Sequence, residues 1–274
     1  MENLTKHAVI CSLLTALVFS SCPITMSQSD SENEFTYDMK GKTGPDKWGD
    51  LKPDWNLCKM GSMQSPIDFS NDKIEKVTNL EELQTNYRPS RASIKNRGYD
   101  IKVEWHGDKS SVKINGTKYR LVQSHWHSPS EHAIDGTRLD LELHMVHQTP
   151  SGQIAVVGIM YRAGRADPFL SSLTEVLEAL SDKTGAEKEV AELDPNLVME
   201  RASAAFYYRY IGSLTSPPCS ENVVWTVFRE VRSVSQEQIK MLKEAVEDHA
   251  ISNARPLQKL NNRVVQFNDP EVKD

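Results

Sequence analysis

The first hydrophobic pattern along the chain belongs to neither a helix face nor a strand. An apolar run from Ala8 to Val18 follows Lys6 and His7 and ends in the small residues from Ser20 to Cys22. A positive start, a short apolar stretch and a small-residue end are the parts of a secretory signal peptide; the run is short for spanning a bilayer, and a single N-terminal anchor is the alternative. Residues 1–28 are therefore expected to be signal and leader. The polar, acidic stretch from Ser29 to Glu34 continues the leader, and a single folded domain is expected over 35–270.

Within that domain the pattern alternates. Ile101 to His106, Val112 to Ile114, Tyr119 to His127, Leu139 to His147, Ile154 to Tyr161 and Val223 to Phe228 are rich in Val, Ile, Tyr and Trp at period two and predict strands. Period-two geometry places Tyr119, Leu121, Gln123, His125 and His127 on one face of their strand, with Val122 and Trp126 on the other. In the next strong strand Asp140, Glu142, His144 and Val146 share a face opposite Leu139, Leu141, Leu143, Met145 and His147. Two helices interrupt the alternation. Asp167-Pro168 opens one whose apolar set is Leu170, Leu173, Leu177 and Leu180. Ser235 to Gln238 form a capping box ahead of Ile239, Leu242 and Val246. Many strands, few helices and no regular βαβ alternation predict a mainly β (α+β) domain on a large sheet.

Composition narrows the function classes. The 274 residues are 38% hydrophobic and 26% charged, as in a globular protein. The 32 basic and 38 acidic residues leave a net charge of −6, without the basic footprint that nucleic acid requires. After the signal, no stretch reaches transmembrane length. Loss of the signal also removes Cys11 and Cys22 and leaves Cys58 and Cys219. In an oxidising compartment these form either one disulfide or two separate buried thiols. Asn115-Gly116-Thr117 is a glycosylation sequon at an expected hairpin turn, whereas Asn3-Leu4-Thr5 lies in the signal.

The distribution of histidines points to chemistry. Five of the eight fall between His125 and His147. His125 and His127, two apart on one strand face, project side by side; if the following strand is a neighbour, His144 completes a set of three. Three neutral imidazoles plus water make an open, catalytic zinc site, whereas a closed structural site uses four protein ligands. Zinc lowers the pKa of bound water to about 7. Gln123 and Glu142, each two residues before a histidine on the same face, are placed to accept the ligands' ring N–H groups. The alternative is a set of satisfied core or surface histidines. His125-x-His127-x3-Glu131 also opens a cupin metal motif, but that motif requires glycines where Tyr119 and Arg138 stand.

Around these residues the chain resembles the α-type carbonic anhydrases. The resemblance rests on Gly44-Pro45-Asp46-Lys47-Trp48, Gln64-Ser65-Pro66-Ile67-Asp68, Gln123-Ser124-His125-Trp126-His127 and Ser130-Glu131-His132. It continues through Glu142-Leu143-His144-Met145-Val146-His147, Gly212 to Pro218 and Asn253-Ala254-Arg255-Pro256. It implies a central, mostly antiparallel, twisted ten-stranded sheet with a few surface helices, and a zinc ion at the base of a cleft. It assigns His125, His127 and His144 as zinc ligands. Thr215 becomes the hydroxyl that orients the attacking oxygen and donates to Glu131, since an ionised Glu131 can only accept. Val146, Val156, Leu214, Val223 and Trp225 become an apolar wall for carbon dioxide, with Thr215 and Ser216 beside it. Carbon dioxide and bicarbonate are the implied substrates. The resemblance also implies a Cys58–Cys219 disulfide, structural roles for His132 and His147, and a secreted or cell-wall protein, with the plastid stroma as the other destination. One position departs from the pattern. Where fast members carry a proton-shuttling histidine this chain has Tyr99, and a phenol of pKa near 10 carries protons poorly at neutral pH.

Overall fold

The computed structural model describes residues 34–270 apart from 79, 81–82, 200–205 and 247–251. The expected signal over 1–28, with Cys11, Cys22 and the Asn3 sequon, lies outside the described residues.

Eleven strands carry the architecture: β1 (Ile74–Val77), β2 (Ser90–Asn96), β3 (Ile101–Trp105), β4 (Ser111–Ile114), β5 (Thr117–His127), β6 (Leu141–Gln148), β7 (Ile154–Ala163), β8 (Glu187–Leu193), β9 (Tyr207–Ser213), β10 (Glu221–Phe228) and β11 (Val265–Asn268). Ten of them form one continuous path, β8-β2-β3-β5-β6-β7-β10-β9-β11-β1. Pairing along it is antiparallel except at β7–β10 and β11–β1. β4 closes a hairpin onto β5 through Asn115 and Gly116, both at positive φ (48° and 75°). Two successive residues in that region define a type I′ turn, which the Asn-Gly pair tolerates. The expected large, mostly antiparallel sheet is thus present in a single mainly β domain; the ten-strand path is the main part of a thirteen-stranded sheet among the described residues.

Alternation separates two cores. Leu141, Leu143 and Met145 of β6 and Ala155, Val157, Ile159 and Tyr161 of β7 face the helices that supply Leu170, Leu173, Leu177, Leu180, Ile239 and Leu242. On the other face, Val146, Val156, Val223, Trp225, Tyr210 and Leu214 form a second cluster. The helices thus cover one face, and the second cluster covers the face from which His144 projects.

The structure corrects three expectations. Tyr119 and Leu121 do not share a face with His125; they pack with Trp126 in the helix-covered core. Val146 pairs with Gln123 but His147 pairs with Leu121, so Val122 is an extra residue on β5, and this bulge reverses the alternation before it. The helix beginning at Pro168 is two helices, Pro168–Ser172 and Thr174–Leu180. At the break the hydroxyls of Ser171, Ser172 and Thr174 bond to the carbonyls of Asp167, Phe169 and Ser171, competing with the backbone ladder. All four leucines are nonetheless buried. Leu139 precedes β6 and packs on the cleft face, because its N–H is taken by Ser130 Oγ at 2.8 Å. The capping box at Ser235 is present and opens a helix over Gln236–Glu244.

Cys58 and Cys219 are joined in a disulfide across 161 residues. Cys58 sits in the short helix Leu57–Met60, and Cys219 follows Thr215 to Pro218, so the bridge ties the Thr215 loop to the N-terminal region. Replacing both by serine is expected to lower unfolding free energy by up to about 5 kcal/mol, the chain-entropy value for so long a loop. Urea denaturation checks this, and an unchanged midpoint would refute it.

Candidate metal centre

The register brings three imidazoles together. His144 of β6 stands directly opposite His125 of β5, and Glu142 opposite His127. Because His125 and His127 are two apart on one strand, all three rings project from the same face, with centroids 4.9 Å (His125–His127), 5.2 Å (His125–His144) and 4.7 Å (His127–His144) apart. One nitrogen from each lies within 4.8 Å of the others, and all three residues are buried.

Hydrogen bonds at the far side of each ring fix which nitrogen faces inward. His125 Nδ1 lies 2.8 Å from Gln123 Oε1, and His127 Nδ1 lies 2.8 Å from the Asn253 carbonyl. Both partners only accept, so both Nδ1 atoms carry the proton and both Nε2 atoms present lone pairs. His144 is inverted: its Nε2 lies 2.9 Å from Glu142 Oε1, leaving Nδ1 as the inward lone pair. His125 Nε2 and His127 Nε2 are buried and make no hydrogen bond among the described residues. Two orphaned acceptors and a third converging lone pair are a donor set suited to a cation of borderline softness. Burial, with the neighbouring His127 and His144, pulls the His125 pKa well below its ordinary value and keeps the ring neutral. Burial lowers His144 as well, against the opposing charge of Glu142.

Glu142 lies at the centre of a buried chain. It takes His132 Nδ1 at 2.7 Å and the His132 amide at 2.8 Å, in addition to His144. Burial pushes its carboxyl up, but His132 and His144 outweigh this and hold it well below the usual carboxylate range. With Glu142 ionised, His132 donates from Nδ1, so its Nε2 accepts from the Tyr210 hydroxyl at 2.7 Å; Ser65 Oγ lies 2.8 Å further on. Gly158 makes room for the chain: a Cβ there would lie 3.2 Å from Glu142 Oε1 and 3.1 Å from Val227.

Glu131 and Thr215 are both buried but are not hydrogen-bonded to each other. The Arg255 amide donates to Glu131 Oε1 at 2.8 Å. With that oxygen fixed, Oε2 turns to the imidazole edge, 3.5 Å from His127 Nε2 and 3.9 Å from His144 Nδ1. Thr215 Oγ1 and Glu131 Oε2 are both buried without a hydrogen-bond partner among the described residues. The expected Thr215-to-Glu131 bond is therefore absent, because Glu131 is oriented by Arg255 and the histidines.

The five residues expected as an apolar wall, Val146, Val156, Leu214, Val223 and Trp225, belong to one buried cluster, and Trp225 stacks edge-on to His144 at 4.8 Å. Ser216 is buried and its carbonyl accepts the Cys219 amide. Tyr99 is only 6% exposed, held among Phe35 and Tyr37 with the Arg97 guanidinium over its ring. His147 points away from the site and pairs with Tyr87 at 2.9 Å. Asn115 is exposed at its turn.

Sequence reasoning placed Asn253 in a motif without a role at His127 and missed Tyr210; their contacts bridge 126 and 78 residues and leave no periodic signal. It also missed Tyr37, whose buried hydroxyl makes no hydrogen bond among the described residues and whose pKa is raised by burial and by the Glu131 charge.

Residues 43–269 match the model of the eukaryotic-type carbonic anhydrase family. "Alpha carbonic anhydrase 7" of Arabidopsis thaliana is 46% identical over 261 residues, covering 95% of this chain and 94% of the relative. Among solved structures, dioscorin complexed with ascorbate superposes with a TM-score of 0.82 at 42% identity, covering 86% of this chain and 98% of dioscorin. The α-carbonic anhydrase of Thermovibrio ammonificans with the inhibitor sulfanilamide gives 0.76 at 35% identity, covering 85% of this chain and 98% of that one. With a family model spanning most of its length and relatives above two-fifths identity, the chain belongs to the eukaryotic-type carbonic anhydrase family.

Proposed function

We propose that this chain is a secreted zinc enzyme that interconverts carbon dioxide and water with bicarbonate and a proton. The observation that carries the reading is the convergence of three inward lone pairs, His125 Nε2, His127 Nε2 and His144 Nδ1, each aligned by an acceptor at its opposite nitrogen. These residues would hold the ion. Zinc bound by three neutral imidazoles supplies the Lewis acidity that makes water a nucleophile near neutral pH.

The rest of the cleft acts on substrate and proton. The wall of Val146, Val156, Leu214, Val223 and Trp225 gives a nonpolar molecule a place without hydrogen bonds, which suits carbon dioxide. The Thr215 hydroxyl, buried without a hydrogen-bond partner among the described residues, is available to orient the attacking oxygen, and Glu131 Oε2 is likewise left to accept a proton. The disulfide, the sequon at Asn115 and the apolar run at Ala8–Val18 support a route through the secretory pathway to the cell exterior or cell wall, or onward to the plastid stroma. No helix among the described residues is long and apolar enough to cross a membrane.

A second reading, a non-catalytic storage or binding protein on this scaffold, draws on the dioscorins among the relatives, such as dioscorin DB3L at 42% identity, and on Tyr99. Stopped-flow carbon dioxide hydration with metal analysis of the same sample separates the two. One zinc per chain with rapid hydration supports the enzyme; a metal-free, inactive protein supports the second reading.

Exporting one proton per turnover is the step that Tyr99 leaves poorly served. Tyr99→His is expected to raise turnover roughly tenfold in weak buffer at saturating carbon dioxide. That is less than a positioned acid–base group usually contributes, because buffer already carries part of the flux. The gain should shrink as buffer is added. Equal turnover in weak buffer would show that proton export does not limit the rate.

A further inference from the structure

We infer that the Arg255 side chain is a positioning residue: its guanidinium clamps the surrounding loop to Gln64, Ser65 and the Cys58–Cys219 bridge, so that the Arg255 amide holds the Glu131 carboxylate in place. The inference rests on the carbon dioxide chemistry proposed above, in which Glu131 accepts a proton, and adds the device that sets that carboxylate.

Residues 252–260 belong to no helix or strand, so no ladder fixes their backbone and its groups must find other partners. Two of them nonetheless reach the centre. The Asn253 carbonyl accepts from His127 Nδ1, and the Arg255 amide donates to Glu131 Oε1 at 2.8 Å. The Asn253 side chain supplies one anchor for this stretch, through the Tyr99 and Trp126 carbonyls and the Ser128 amide. Arg255 supplies the other. Its Nη1 donates to Gln64 Oε1 and to the Ser65 carbonyl, and its Nη2 to the Cys58 carbonyl, each at 2.8 Å. Gln64 Nε2 donates in turn to the Cys219 carbonyl at 3.1 Å. These bonds close a ring that runs from Arg255 through Gln64, Cys219 and the disulfide to Cys58 and back.

The chemistry of the clamp asks for an arginine. Arg255 is only 2% exposed and makes no ion pair among the described residues; its acceptors are neutral carbonyl oxygens. A buried cation is tolerated only when hydrogen bonds satisfy it. A planar fork spans three such acceptors at once, whereas an ammonium is a point charge on a flexible stem. The Trp48 ring lies against the guanidinium, its centroid 5.7 Å away. A fixed guanidinium fixes the backbone that carries it, and the amide that holds Glu131 with it. Displacing a reacting group by about 1 Å can cost ~10²-fold in rate, which gives a remote clamp its leverage.

The test is a double-mutant cycle on the full mature chain, with zinc measured on every sample and rates compared per bound zinc. Arg255→Lys keeps the charge and loses the fork; it is expected to lower kcat for hydration about tenfold with KM within about twofold. In a Glu131→Gln background the same change should cost less than about twofold, because it acts through a carboxylate no longer there. Gln64→Met removes one acceptor of the clamp and leaves Arg255 intact; it should cost about threefold, with the same dependence on Glu131. Amide hydrogen exchange, read by NMR on the metal-free chain, is independent of turnover. The Arg255 amide should exchange at least about tenfold faster in Arg255→Lys, and faster than the parent in Gln64→Met. Equal losses of rate in both backgrounds, or an Arg255 amide that exchanges as in the parent in both variants, would overturn the inference. A parent chain that hydrates no carbon dioxide yet shows the exchange difference would remove the proposed chemistry and leave the clamp on Glu131 standing.

Discussion

His144→Ala is expected to purify with almost no zinc and to lose carbon dioxide hydration by at least ~10³-fold. That exceeds the ~10–100-fold loss in affinity expected when an outer partner of a metal ligand is removed. The reason is geometric. Only His144 presents Nδ1 inward, because Glu142 holds its Nε2; without that ring, His125 and His127 remain as a pair on one strand with nothing on the neighbouring strand to complete the set. The comparison variant is Gln123→Ala, which removes the acceptor at His125 Nδ1 and should weaken metal binding within that smaller range while leaving three ligands. Metal analysis after equilibrium dialysis against a zinc buffer reads both. A His144→Ala chain that retains one zinc per molecule would show that the ion binds elsewhere. The nearby His132–Glu142–His144 grouping would be excluded as well, since it shares the deleted ring.

This centre was legible in the sequence because its signal is local. His125-x-His127 and Glu142-x-His144 each use the period of a single strand, and the register His144–His125 converts two local patterns into one site. Wherever a single extra residue intervened, the same logic failed. Val122 bulges out of β5, so Tyr119 and Leu121 sit in the other core although they keep perfect period two with His125. The helix beginning at Pro168 shows a related loss. The leucine spacing was right and all four are buried, but hydroxyl-to-carbonyl bonds from Ser171, Ser172 and Thr174 divide the element. Partners brought from far along the chain carried no pattern at all. The Asn253 carbonyl reaches His127 from a loop outside the sheet, 126 residues on, and the Tyr210 hydroxyl reaches His132 from β9, 78 residues on. The family resemblance supplied Thr215 and Glu131, but not the position of the Glu131 carboxylate, which depends on the Arg255 amide.

Thr215→Val is expected to move stability and activity in opposite directions. Thr215 Oγ1 is buried and makes no hydrogen bond among the described residues, as does Glu131 Oε2 close to the histidines. A buried, unsatisfied hydroxyl costs on the order of 1–3 kcal/mol, so a methyl group of nearly the same shape should leave thermal stability unchanged or raise it. Were the threonine there for the fold, its loss would instead lower the melting temperature. If it orients the attacking oxygen, as proposed, hydration should fall by about 10²–10³-fold, the range for removing one well-placed hydrogen-bonding group from a reaction centre. Zinc content should stay at the parent's value, because Thr215 is not among the three converging donors. Thr215→Ser, which keeps the hydroxyl and loses the methyl, should restore most of the activity. The deciding comparison is the valine variant: hydration within about fivefold of the parent, at equal zinc content, would mean that the hydroxyl contributes nothing comparable to an orienting group. The polar side of the cleft would then have to act through Glu131 alone.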